Sequence, residues 1–391
     1  MNRVCSIFSQ LLQFFPRLEF ESLVQMHKAE RHARGFSCWQ QFTAMLFCQL
    51  GHAQSLREIC GGLAACEGKL RHLGLQDAPK RSTLSYANEH RPWRLYQSVF
   101  HTLLGRCHAE ALARGQKKFR FKHKLLSLDS TLIELCAESF DWAQYKRTKG
   151  AVKLHLLLDH DGCLPQYAVL TEGKRGDVTE ARQMTFAPGT LVVFDKGYTD
   201  YAWWLRLTQQ KVRFVTRLKD CADYGVVEAR AVPSGSDVLR DEVIVLTAQQ
   251  EIGPPVRLRR IEVWVEEKNE TRVFVTNHLS LAARTVARLY KERWQVELFF
   301  KARKQGLKVK TFVGTSENAV QIQIWCALIA MLVLKYLQRK SSLGWSLSNL
   351  IALLRQQLFV YRDLWTWLND PFQGPPQPGD TAPAQLPLAP G

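Results

Sequence analysis

At 391 residues, 46% of them hydrophobic, the chain is long enough for two or three domains with a sizeable buried core. Its 53 Lys and Arg against 36 Asp and Glu leave a formal charge of +17, which favours a polyanionic partner. Nucleic acid suits this better than an anionic membrane, because the basic residues are spread along the chain and no basic amphipathic segment stands apart.

The ten cysteines stand singly, without CxxC or zinc-ligand spacing, and read as reduced thiols of a cytoplasmic protein. The start lacks a signal peptide's long apolar core. The longest apolar run, 324–334, is bounded by Gln323 and Lys335 and is too short for a bilayer, so it reads as a core helix.

Residues 1–115 read as helical. Ile7, Leu11, Leu12 and Phe15 keep helical spacing, and Pro16 is expected to end that run. Residues 42–50 form a second apolar helix, and Ser55 with Glu58 reads as a capping box opening a third. A short polar helix starts at Ser82, preceded by Lys80 and Arg81 and closed by Pro92. Such a pair is compatible with a helix-turn-helix reader of DNA and equally with plain helical packing. Residues 93–113 make one more helix, and the basic stretch 116–124 reads as a linker.

From His123 the periodicity changes to that of strands. Residues 125–128 are apolar and end in Asp129; residues 152–159 and 164–171 form a hairpin around Asp161-Gly162. Asp177 and Glu180 have the spacing of a capping box, so Asp177 reads as a helix cap rather than a metal ligand. Residues 190–194 are a buried strand ending in Asp195, Asp200 caps a helix over 201–207, and 212–218 is the next strand. This order predicts an α/β sheet, with functional side chains at the carboxyl ends of strands. His155 reads as packed within its strand. Short alternating strands at 242–246, 256–266 and 272–276 predict a small β-rich insertion.

Residues 285–304 read as an amphipathic helix that returns the chain to the sheet. At about 100° per residue, Tyr290, Arg293, Glu297 and Lys304 line one narrow strip beside an apolar stripe of Leu289, Val296, Phe299 and Phe300. Glu297 is thereby a carboxylate at the edge of a buried face, flanked by cations. Residues 321–337 and 347–359 read as core helices, and 371–391 as a Pro-rich disordered tail.

Asp129, Asp195 and Glu297 would repel one another if they converged, unless metal neutralised them. Oxygen ligands of this kind suit Mg²⁺ or Mn²⁺, and two such ions serve phosphodiester chemistry. A carbohydrate enzyme with paired carboxylates would explain neither the net charge nor the cations around Glu297.

The spacing Tyr290, Arg293, Glu297, Lys304 resembles the Y-R-E-K signature of DDE transposases of bacterial insertion sequences, specifically the insertion-sequence-four family. The blocks around Leu128-Asp129-Ser130 and Phe194-Asp195-Lys196-Gly197-Tyr198 are similar to that family's other two, over about residues 120–340. Lys196 stands where many relatives carry Arg, which keeps the charge but loses a bidentate phosphate contact.

The resemblance implies a ribonuclease-H-like mixed sheet interrupted by the β-rich insertion, behind an all-helical DNA-binding region. On it the chain divides into residues 1–115, 120–220, 221–280 and 281–365, followed by the tail. It implies cut-and-paste transposition, in which the triad holds two Mg²⁺ ions (Mn²⁺ substituting), an end is nicked, and the freed 3′-hydroxyl attacks DNA, with a hairpin step at the end. Tyr290, Arg293 and Lys304 would grip phosphate. Trp294 would stack on an unpaired base, with Trp264 a weaker candidate, and Arg217 and Lys219 would contact phosphate. The partners implied are the element's terminal inverted repeats and target DNA, bound by a homodimer on paired ends in the bacterial cytoplasm at the nucleoid. The alternatives are a nuclease or domesticated recombinase of the same chemistry, or a DNA-binding protein that has lost catalysis.

Overall fold

The computed structural model describes residues 5–31, 33, 35–66, 68–113, 124–136, 144–146, 149–160, 164–232, 234–250, 253–297 and 312–372. The linker stretch 116–123, the Asp161-Gly162 turn, Phe299, Phe300, Lys304 and nearly all of the tail lie outside them.

The first part is helical: α1 (Ile7–Leu12), α2 (Arg17–Met26), α3 (Cys38–Leu50), α4 (Leu56–Ala64), α5 (Arg81–His90) and α6 (Arg94–Ala113). Pro16 follows α1 as expected, and it is also the N-cap of α2. Ser55 caps α4 through the N–H of Glu58, but the Glu58 carboxylate accepts from the N–H of Gln54, so the expected box is incomplete. The full box opens α3, where Ser37 and Gln40 exchange bonds.

Residues 65–80 separate α4 from α5 and include a 3₁₀ turn at Leu70–Leu73, whereas a helix-turn-helix has a turn of about three or four residues. The inner face of α5 is packed. Leu84, Ala87 and Asn88 are buried, and Asn88 accepts from Gln41 at 2.8 Å. Its outer face presents Arg81, Ser82, Ser85, Glu89 and a Tyr86–His90 stack with centroids 4.0 Å apart.

These helices gather round α11 (Glu317–Lys340), which is followed by α12 (Leu347–Gln357) and α13 (Leu364–Asn369). The α11 helix is longer than its apolar run suggested, and by length and composition it could cross a membrane. Instead 89% of its most apolar window is buried within the protein, where Trp325 stacks parallel to Trp93.

The strands β1 (Leu125–Cys136), β2 (Gln144–Lys146), β3 (Lys149–Asp159), β4 (Leu164–Glu172), β5 (Leu191–Phe194), β6 (Arg213–Arg217), β7 (Tyr224–Ala229), β8 (Val238–Leu246), β9 (Leu258–Val265) and β10 (Glu270–Thr276) form one mixed sheet. Its order is β2-β3-β1-β5-β6-β10-β9-β8-β7, with β4 also on β3. The β1 strand runs antiparallel to β3 and parallel to β5, which runs parallel to β6. The strands expected as an insertion, β7–β10, therefore extend the same sheet, joined to it by β10 against β6.

Helices cover both faces. On one, α7 (Asp177–Ala181) and α8 (Tyr201–Gln209) enclose Leu126, Leu128, Val192, Phe194 and Phe214. On the other, α10 (Ala283–Glu292) covers Leu191, Val193, Val215 and Phe274, and the helical body packs on Val152, Leu154 and Leu156 of β3. One four-residue helix, α9 (Thr247–Gln250), follows β8.

A buried ion pair ties β8 and β9 to the segment leading into α10. Arg259 Nε donates to Asp241 Oδ1 at 2.7 Å and its Nη2 to Oδ2, both side chains 7% exposed. The remaining nitrogen, Nη1, donates to the carbonyls of Leu279 and Leu281, just before α10.

Candidate active site

Asp129 does not end its strand, as its neighbours suggested. It stands within β1, one residue past the last β1–β5 pair, Leu128 with Phe194. Asp195 is the next residue after β5. Because the two strands are parallel and adjacent, both carboxylates sit at the same end of the sheet. Side chains alternate along a strand, so Asp195 shares the face of Leu191 and Val193, the one under α10.

The 285–304 segment is not one uninterrupted helix. The α10 helix ends at Glu292, Arg293 tightens the chain with i→i+3 bonds from its own N–H to Tyr290 O and from Val296 N–H to Arg293 O, and residues 294–297 resume helically. The turn keeps the apolar stripe in place, with Leu289 and Val296 fully buried. It also turns the polar strip inward onto the sheet. The Tyr290 hydroxyl donates to Asp195 Oδ1 at 2.8 Å. Arg293 Nη1 donates to Asp129 Oδ2 at 3.0 Å and Nη2 to Glu297 Oε1 at 2.6 Å. One guanidinium thus bridges carboxylates from β1 and from the segment after α10.

The local fields are unequal. Burial pushes the Asp129 carboxyl up to about 6, against the pull of Arg293 and of the Ser130 N–H. Burial acts on Asp195 too, but the Tyr290 hydroxyl, the N–H groups of Lys196 and Gly197, and Arg293 outweigh it, and this carboxyl ends below its ordinary value. Burial lowers Arg293, and the surrounding Tyr290, Asp129 and Glu297 more than reverse that, so it stays charged.

Three carboxylates around one fixed positive charge would suit a hard divalent cation. Among the described residues, no three metal-binding side chains are gathered tightly enough to share an ion. The Arg293 bridge explains this spacing, since the guanidinium occupies the gap between Asp129 and Glu297.

A proton on Asp129 competes with any metal there. Apparent Mn²⁺ affinity is therefore expected to fall as pH drops through about 6, by about tenfold per unit below it, as measured by paramagnetic resonance titration. The stability effect of this one group has a definite sign in the metal-free chain. Its raised value favours the folded state below the ordinary carboxylate range, and that contribution is lost as pH rises through about 6.

The other expected residues are placed as follows. Arg217 ends β6, two residues past the last β5–β6 pair, Val193 with Val215, and is in register with Phe274 of β10. Its Nε is buried and has no hydrogen-bond partner among the described residues. Lys219 is exposed two residues on. Trp294 is 53% exposed beside the Arg293 turn, and Trp264 is 40% exposed on β9. Lys304 lies outside the described residues. His155 is fully buried in β3, as its strand position suggested.

Asp177 corrects an expectation. Gly176, not Asp177, is the N-cap of α7, and no side chain caps that helix. The Asp177 carboxylate instead accepts from Ser130 Oγ at 2.7 Å. Neither partner stood out as a pair in the sequence. The only local signal was that Ser130 follows a suspected ligand.

Acidic side chains converging at one end of a mixed sheet, in a chain of such positive charge, are the equipment of an enzyme of phosphodiester chemistry on nucleic acid. Residues 120–333 match the transposase DDE domain, and residues 4–76 match a domain of unknown function. A Sinorhizobium fredii protein named as a transposase is 30% identical over 312 residues, 78% of this chain and 85% of its own length. A Geobacillus stearothermophilus protein named as a transposase for an insertion sequence element is 30% identical over 271 residues, 68% of this chain and 70% of its own. A solved structure of a piggyBac transposase synaptic complex with hairpin DNA has a TM-score of 0.46 at 10% identity, covering 92% of this chain and 80% of that one, a likeness too slight to bear weight.

The chain belongs to the DDE transposases, enzymes that cleave DNA and transfer its strands in transposition. Its partner is accordingly DNA, and the family generally uses divalent metal ions.

Proposed function

We propose that the chain moves its own insertion sequence by cutting the element out and pasting it elsewhere, using Asp129, Asp195 and Glu297 as the metal-holding triad. The observation that carries this is the bridge of Arg293 between Asp129 and Glu297, with Tyr290 on Asp195, which brings three elements distant in sequence to one point. The sheet order β4-β3-β1-β5-β6 supports a ribonuclease-H-like core, with β7–β10 as the insertion between the second Asp and the Glu.

Two Mg²⁺ ions, or Mn²⁺ in their place, would supply an activated attacking oxygen and stabilise the leaving one. Asp129, Asp195 and Glu297 would hold them. Tyr290 keeps Asp195 ionised and oriented. Arg293, released from its carboxylates, meets the phosphate with Lys304, and Arg217 and Lys219 extend that cationic track past β6. The exposed ring of Trp294 stands beside this point, where an unpaired base at a hairpin end would stack. The helical N-terminal part, with the polar outer face of α5, binds the terminal inverted repeats. A homodimer cuts paired ends together.

The test of joining as distinct from cutting uses a pre-nicked end with a 3′-hydroxyl, a target plasmid and Mg²⁺. The expected products are a hairpinned element end with its flank released and, once the hairpin is reopened, joined plasmid. Cutting without either product would indicate a nuclease.

A further inference from the structure

We propose that Asp177 is a positioning residue for Asp129, acting through Ser130 from the opposite face of the sheet. This rests on reading Asp129 as a metal ligand. Alternation along β1 puts Ser130 with Leu126 and Leu128 on the α7 side, while Asp129 faces α10. Ser130 is bound at both ends. Its N–H donates to Asp129 Oδ1 at 2.9 Å, and its hydroxyl donates to Asp177 Oδ1 at 2.7 Å. The tether comes where the strand needs one, because β5 stops pairing with β1 at Leu128 and leaves Asp129 with a ladder on the β3 side alone.

Asp177 is itself held firmly. Lys153 Nζ lies 3.2 Å from its Oδ1 and also donates to the carbonyl of Arg175 at 2.8 Å. His155, paired in register with Ser130, places its otherwise unbonded, buried Nδ1 3.8 Å from the same oxygen, and its Nε2 bonds Thr171 Oγ1 at 2.9 Å. Lys153 balances the charge of Asp177, so this carboxylate serves Ser130 rather than a metal ion.

The experiment titrates Mn²⁺ into the full chain by paramagnetic resonance and measures single-turnover end cleavage. It compares wild type with Asp129→Asn, Asp177→Ala, Asp177→Asn, Ser130→Ala and the Asp177→Ala/Ser130→Ala double variant. Each alanine variant is expected to weaken Mn²⁺ binding by about 10–100-fold. The double variant should be no weaker than the worse single, because both remove one link. Asp177→Asn keeps shape and an oxygen that accepts from Ser130, so it should recover most of the loss. Full affinity in Asp177→Ala, or losses that multiply in the double variant, would overturn this inference alone. Wild-type Mn²⁺ binding that does not depend on Asp129 would overturn the metal reading, and this inference with it.

Discussion

Glu297→Gln is expected to reduce cleavage of the element's ends by more than about a thousandfold while leaving DNA binding intact. An outer partner of a metal ligand is worth about 10–100-fold, so the ligand itself sets a larger expectation. The substitution keeps the size of the side chain and can still accept from Arg293, so the fold has no reason to suffer. What is lost is the negative charge that balances a divalent cation. Asp129→Asn and Asp195→Asn should behave alike. Single-turnover cleavage with a binding assay on the same preparation measures both halves. A variant that cuts within about tenfold of wild type would remove Glu297 from the chemistry.

The second large effect concerns stability. Asp241→Leu leaves the Arg259 guanidinium buried and uncompensated, and is expected to cost about 3–5 kcal/mol in urea unfolding. Adding Arg259→Met should recover only part of this. A buried ion pair alone can often be replaced by apolar side chains without loss. Here Arg259 also satisfies the carbonyls of Leu279 and Leu281, which the double variant leaves with fewer donors. Those carbonyls belong to the segment feeding α10, so the same variants should also slow cleavage by misplacing Glu297. Full recovery of stability in the double variant would show that the pair holds nothing but itself.

Much of this was legible in local patterns. Apolar runs followed by Asp129 and Asp195, and the strip of Tyr290, Arg293 and Glu297, point to the very residues that meet in the fold. Helical spacing made the buried side of α10 predictable, because Leu289 and Val296 must face a core whatever lies above them. Less visible was where the polar ends would go. The spacing Asp177-x-x-Glu180 is the same whether Asp177 caps a helix or begins one, and only the approach of Ser130 from β1 decides the matter. Likewise the strands after β6 announce themselves by alternation, but which neighbour each pairs with depends on contacts far apart in sequence, and β10 chose β6. Arg293 pairs with Glu297 four residues on, as a helix pattern allows, but its second partner, Asp129 of β1, is a contact across the fold that no local pattern contains.

The most direct measurement is cleavage of a supercoiled plasmid carrying the element's own ends, with Mg²⁺ and with EDTA, by wild type and Glu297→Ala. Cutting at the ends that requires metal, and disappears in the variant while binding persists, is the predicted result. Wild type that binds the ends but never cuts under Mg²⁺ or Mn²⁺ would contradict it, and would leave Tyr290 and Arg293 as part of a surface that only grips DNA.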